Sequence, residues 1–237
     1  MNDQLLNTIK QRGYWRINFQ PIVMKERLEK SSDCKDVVIK NSVRLRGWDF
    51  PHVSHKNDDK SGMGFTGKYY EGWDEWSHYK EFWRIYKSGQ FLCYRALRED
   101  WLDQSHWGSE SSKQITPMNY LGVIGTVIYE LTEMLEFLFR LTKDGLYEEG
   151  VIINISLHNL KGRTLWIEDG NRMPFMFPRK TGAEIFTFEK EYSKEEVVSG
   201  SKEIANKIIL ELFDLFEWTP TADQIRNDQD KLLSGRA

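Results

Sequence analysis

The sequence predicts an α+β fold: a mostly antiparallel sheet packed against a long central helix and a C-terminal helix. Three observations carry this. Strand-like stretches come in runs, not in regular alternation with helices. Residues 117–143 keep apolar side chains at helical spacing throughout. After Ser193 a second helical period opens with Glu196 at capping-box spacing.

Taken in order, residues 13–22, GYWRINFQPI, alternate Trp15, Ile17 and Phe19 with Arg16, Asn18 and Gln20, the pattern of a half-buried strand. A short helix is expected within 25–42. Residues 43–53, VRLRGWDFPHV, read as extended. The Gly-, Ser- and Asp-rich run 54–68 reads as a loop, GMGFTG included, because its glycines open no helix that could hold a phosphate. Residues 81–101, EFWRIYKSGQFLCYRALREDW, then form a hairpin about Ser88-Gly89. A two-residue turn there sets Tyr86 opposite Phe91, Arg84 opposite Cys93 and Phe82 opposite Arg95 on one side. Trp83, Ile85, Leu92, Tyr94 and Ala96 fall on the other, which should pack on the core.

Residues 99–116 read as a polar connection, and Thr116-Pro117 as cap and first turn of the long helix, which ends near Lys143 with Gly145 just beyond. Its stripe runs from Leu121 through Ile124, Ile128, Leu131 and Leu135 to Leu138. Residues 150–160, 162–168 and 183–192 read as strands, the first nearly all apolar and so flanked on both sides. A loop holding Pro174 and Pro178 precedes the third. The helix from Ser193 is expected to run to about Trp218, with Ile204, Ile208, Leu212 and Leu215 inward. Residues 1–218 are read as one domain, with two halves meeting near 110 as the alternative, and 219–237 as a loosely held tail.

Composition narrows the function. Lys and Arg number 33 against 36 Asp and Glu, so no global positive field draws the chain to nucleic acid. The two cysteines, Cys34 and Cys93, have no metal or redox spacing and fit reduced thiols in the cytoplasm. The N-terminal residues show no secretory pattern. The most apolar segment, 120–141, carries Glu130, Glu133, Glu136 and Arg140, each costing about 3 kcal/mol at a bilayer centre. It is expected to be a core helix, with no membrane contact.

No GxSxG, Walker loop, GxGxxG or HExxH occurs, and nothing calls for a cofactor. The distinctive stretch is 69–107, which holds five of the nine tryptophans, so a contact surface is expected there. Its residues are Trp73, Trp76, Phe82, Arg84, Tyr86, Phe91, Arg95 and Arg98. The plainer reading is that these rings fill a core. Acidic residues outnumber basic ones in the stretch, which favours a protein partner or small ligand over nucleic acid.

The leading expectation is a non-catalytic binding or adaptor subunit that holds a protein partner. The alternatives are a nucleotide or small-ligand sensor, with arginines meeting phosphate, and a metal-dependent hydrolase built on His52, His55 and nearby carboxylates. Solvated side chains are the plainer reading of those histidines and of His78. Asp49, Asp74, Glu75, Glu99 and Asp100 are read mostly as surface charge, and His158 as a hydrogen-bonded structural histidine.

VRLRGWDFPH and SGQFLCYRALREDW resemble stretches of small, functionally unassigned bacterial proteins, some encoded near mobile or defence genes. The resemblance covers roughly a third of the chain and includes no catalytic residue. It implies a bacterial cytoplasmic protein that works within an assembly, with a defence role among the expectations.

Overall fold

The computed structural model describes residues 3–102 and 116–235. The chain begins with α1 (Asp3–Lys10), β1 (Tyr14–Pro21) and α2 (Ser31–Asn41). Strands β2 (Ser61–Phe65), β3 (Tyr69–Trp76), β4 (Tyr79–Tyr86) and β5 (Phe91–Ala96) follow, and then a 3-10 turn at Arg98–Asp100. β6 (Tyr120–Gly122) leads into a π-helical stretch, Val123–Tyr129, which continues as α3 (Glu130–Lys143). The remainder is β7 (Val151–His158), β8 (Thr164–Trp166), β9 (Ile185–Tyr192), α4 (Lys194–Asp214) and α5 (Ala222–Leu233).

Seven strands form one antiparallel sheet in the order β2-β3-β4-β5-β1-β7-β9, so the fold is the α+β class that the sequence predicts. Strand alternation puts Trp15, Ile17 and Phe19 of β1 on one face, beside Cys93 and Phe91 of β5 and Leu157, Ile155 and Ile153 of β7. These residues share one buried cluster with Leu131, Leu135 and Leu138 of α3 and Ile208 and Leu212 of α4. Burying each such side chain stabilises the fold by about 1.5–3 kcal/mol. α1 covers part of the opposite face, where Leu5 and Ile9 pack with Tyr14, Phe82 and Ala96. β6 and β8 make a separate parallel pair.

The hairpin turn is longer than expected, and this changes the register. Tyr86 N–H donates to Gln90 O at 2.9 Å and Gly89, at φ +89°, donates to Tyr86 O, so three residues connect the strands. Glu81 therefore lies opposite Arg95, Trp83 opposite Cys93 and Ile85 opposite Phe91. Phe91 and Arg95 move to the core face, whereas Phe82, Arg84 and Tyr86 share the other face with Leu92 and Tyr94. One extra turn residue flips a strand's side chains relative to its partner.

Other departures have local causes. The glycine run read as a loop contains β2, because Gly62 has no Cβ to strike the indole of Trp73 across the pair. The long helix does not begin at Pro117: Met118 has φ +66° and Asn119 O accepts the Thr164 N–H, so the chain turns and extends through β6 first. α1 has no counterpart in the sequence reading. Where that reading expects a loosely held tail, residues 222–233 form α5, capped by Thr221 and Gln224, with Ile225 and Leu232 buried.

Among the described residues, no helix is long and apolar enough to cross a membrane.

Candidate ligand-binding site

At one end of the core face the sheet buries charge in place of hydrocarbon. Two residues beyond Trp83 and Cys93, the same alternation turns Glu81 and Arg95 inward, opposite each other, with Asp74 next along the row. Such groups cost several kcal/mol each to desolvate unless paired. Arg95, 4% exposed, meets Glu81 Oε2 at 3.1 Å through Nη1 and Glu130 Oε1 at 3.3 Å through Nε. One turn along α3, buried Glu133 accepts two hydrogen bonds from Arg46, from Nε at 2.9 Å and from Nη2 at 2.6 Å. Arg46 reaches inward because a backbone bridge between Val43 and Phe50 closes the loop that carries it.

The π-helical stretch faces this row, and such stretches recur at functional sites. The N–H groups of its first turn have no partner within the helix and are free for side chains. Glu168 accepts from Ile124 N at 2.9 Å and Gly125 N at 3.0 Å. Glu99 accepts from Gly122 N at 2.9 Å and the Thr126 hydroxyl at 2.8 Å. Glycine at 122 makes room for the Glu168 carboxylate, because a Cβ there would run into it and crowd the Thr126 hydroxyl.

Between these elements lies a cavity of about 720 Å³. Its charged lining includes Arg95, Arg98, Glu99, Glu130, Glu168 and Arg172; Tyr79, Tyr129 and Trp166 supply rings. Burial pushes the Glu130 carboxyl up to about 7, against the pull of Arg95 and Arg46, with Glu99 and Glu133 adding to the rise. Glu168 is likewise pushed up to about 7 by burial, opposed by the Ile124 N–H. Glu99 and Glu81 are raised by burial too. Clustered carboxyls that titrate near neutrality in a cleft are a mark of a functional site.

Of the eight residues expected to form a contact surface, only Arg95 and Arg98 line this cavity. Phe91 is buried in the main core, and Phe82 is buried under α1 with Trp73 packed against that cluster. Arg84 is buried, bonded to Glu71 and lying over the Tyr69 ring at 3.9 Å. Tyr86 meets Tyr69 edge to face at 5.6 Å. Trp76, 59% exposed, stacks on Trp48, which also stacks on Tyr79 at 4.3 Å beside the cavity mouth. The eight therefore do not make one outward surface.

Asp74, Glu99 and Asp100, read as surface charge, are buried: Glu99 and Asp100 are held by backbone N–H groups and, for Asp100, by Arg163, whereas Asp74 Oδ2 lies 3.6 Å from His52. His52 is bonded to Asp49, stacked on Trp48 at 3.8 Å and 3.6 Å from Asp74. Burial draws its imidazole down, but Asp49, Glu81 and Asp74 leave it above its ordinary value. Among the described residues, no three histidine, cysteine or carboxylate side chains converge to hold a metal ion. His158 bonds to Ser156 and stacks on Tyr14.

Glu130 and Glu168 were not among the expected site residues. For Glu130 the signal lay in the sequence: two of the three acids of α3, Glu130 and Glu133, fall among its buried residues. Glu168 carries no such mark, since its partners are backbone groups 43 and 44 positions away.

No family model matches the chain, no curated protein matches its sequence, and no solved structure matches its fold.

Proposed function

We propose that this protein is a small-ligand sensor that takes a nucleotide-like molecule into the cavity between β5, the π-helical stretch and the loop of Glu168. One observation carries the reading: the cavity is of ligand size, and its buried wall is charged where a core would be apolar. Volumes of roughly 300–1,000 Å³ are usual for small-molecule sites. Arg98 supplies positive charge for an anionic group, and Tyr129 and Trp166 border the space as rings do where flat ligands bind. The two cysteines are buried and unpaired, which fits a reducing compartment such as the cytoplasm.

A thermal-shift panel of nucleoside mono-, di- and triphosphates tests it. A ligand at a hundred times its dissociation constant stabilises the fold by about 2.7 kcal/mol. A shift with at least one member supports the reading, and a flat panel at millimolar ligand removes it.

A second reading, an adaptor that holds a protein partner, is favoured by a different surface from the hairpin. Met173, Met176 and Phe177 are 88%, 87% and 72% exposed in the loop that follows Arg172. Contiguous exposed apolar side chains mark interaction sites. Substituting Met173 and Phe177 by Ser should abolish co-purification of any specific partner; a partner retained by that variant docks elsewhere.

A further inference from the structure

Glu130 is 5% exposed and lines the cavity, and its two carboxyl oxygens differ. Oε1 forms an ion pair with Arg95 Nε at 3.3 Å, but Oε2 has no hydrogen-bond partner among the described residues. Buried carboxylate oxygens are normally satisfied, so this one calls for an explanation. Two other carboxyls of the cavity wall are satisfied from within: buried Glu99 by Gly122 and Thr126, and half-buried Glu168 by two backbone N–H groups.

The cations divide in the same way. Arg46 is held by Glu133 and Gly125 O, Arg95 by Glu81 and Glu130, and Arg172 by Asp169 and Asp228. Arg98 alone of the lining arginines has no ion pair among the described residues; its guanidinium lies 5.9 Å from the Tyr79 ring centre. Among the described residues, internal pairing leaves the cavity one buried acceptor, Glu130 Oε2, and one exposed guanidinium, Arg98, while the lining Lys231 lies 3.8 Å from Asp228.

We propose that the cavity selects ligands carrying an amino N–H donor at one end and an anionic group at the other: the donor is read by Glu130 Oε2 and the anion by Arg98. This rests on the cavity being the ligand site. The class that fits is a nucleoside phosphate whose base bears an amino group. Uncharged nucleosides and phosphates without an amino base each lack one of the two contacts.

Calorimetric titration of the full chain with three matched pairs tests this. AMP is compared with purine riboside 5′-phosphate, GMP with IMP, and CMP with the 5′-phosphate of pyrimidin-2-one riboside. The expected result is that one amino-bearing nucleotide binds at least tenfold more tightly than its counterpart. Glu130→Gln, which keeps the shape and removes the charge, should erase that difference, and Arg98→Gln should weaken the nucleotide while leaving its parent nucleoside unaffected. Binding of both members of every pair with equal affinity overturns the selection by Glu130 and leaves the ligand site standing. Failure of all six to bind removes the nucleotide reading itself. Should the Glu130 variant fail to fold, the comparison on the unsubstituted chain still decides.

Discussion

Arg163 and Asp100 form a fully buried bidentate pair, Nη1 to Oδ1 at 2.9 Å and Nη2 to Oδ2 at 2.5 Å. The pair joins four parts of the chain. Asp100 also accepts the backbone N–H groups of Gly13 and Met118, and Arg163 also donates to the carbonyls of Asn159 and Tyr120. It thereby fixes the start of β1, the turn after β5 and the approach to β6, on which the cavity wall depends.

Asp100→Asn should therefore cost about 3–5 kcal/mol, since it leaves the Arg163 guanidinium buried and uncompensated. Urea unfolding at neutral pH measures this. A loss under 1 kcal/mol would mean that water reaches the pair.

The cavity carboxyls make stability depend on pH. Glu130 and Glu168 are raised from 4.5 to about 7 in the folded chain, so between these values the native state binds more protons than the unfolded one. Their contribution is full below pH 4.5 and is lost as pH rises through 7, by roughly 3 kcal/mol for each at about 1.4 kcal/mol per pH unit. Denaturation midpoints measured from pH 5 to 8 should fall more steeply for the natural chain than for Glu130→Gln. Equal slopes would show that Glu130 titrates normally.

Ligand binding should run the opposite way. Glu130 accepts most strongly when ionised, and Arg95, Arg46, Glu99 and Glu133 set the charge around it. Affinity for the preferred nucleotide should rise between pH 6 and 8, and Glu130→Gln should flatten the profile. A profile that falls over the same range would assign Glu130 the role of donor.

Gly122→Ala should displace Glu168 from the π-helical N–H groups, because the added methyl would occupy the space of its carboxylate. The expected cost is about 1–3 kcal/mol, with loss of the nucleotide-induced thermal shift. An unchanged shift would show that the Glu168 contact is incidental to binding.

Ile225→Ala tests whether α5 belongs to the packed structure. Ile225 is buried against the π-helical stretch, so truncation should cost about 2–4 kcal/mol; a tail that packs on nothing would lose almost none.

Local pattern carried much of the fold into view. The alternation at Trp15–Phe19, the part of the stripe from Leu131 to Leu138 and the Ser193–Glu196 cap are where short-range sequence places them. The hairpin register was not legible, because two- and three-residue turns about Ser88-Gly89 have nearly the same sequence signature and opposite consequences. Nor was the site. Arg46 and Glu133 are 87 positions apart and Asp100 and Arg163 are 63 apart, so composition counts them as surface charge until the fold brings each pair together. Polar α5 was concealed for a related reason: it contributes only two large apolar side chains, Ile225 and Leu232, to the interior.

The loop bearing Met173 and Met176 holds the most exposed thioethers among the described residues. Thioether sulfurs in open water oxidise readily to sulfoxide, which is polar, whereas Met134 is sealed in the core. Mild oxidant should therefore add oxygen at 173 and 176 before it harms the interior, turning a greasy rim beside Arg172 into a hydrophilic one that a reductase can restore.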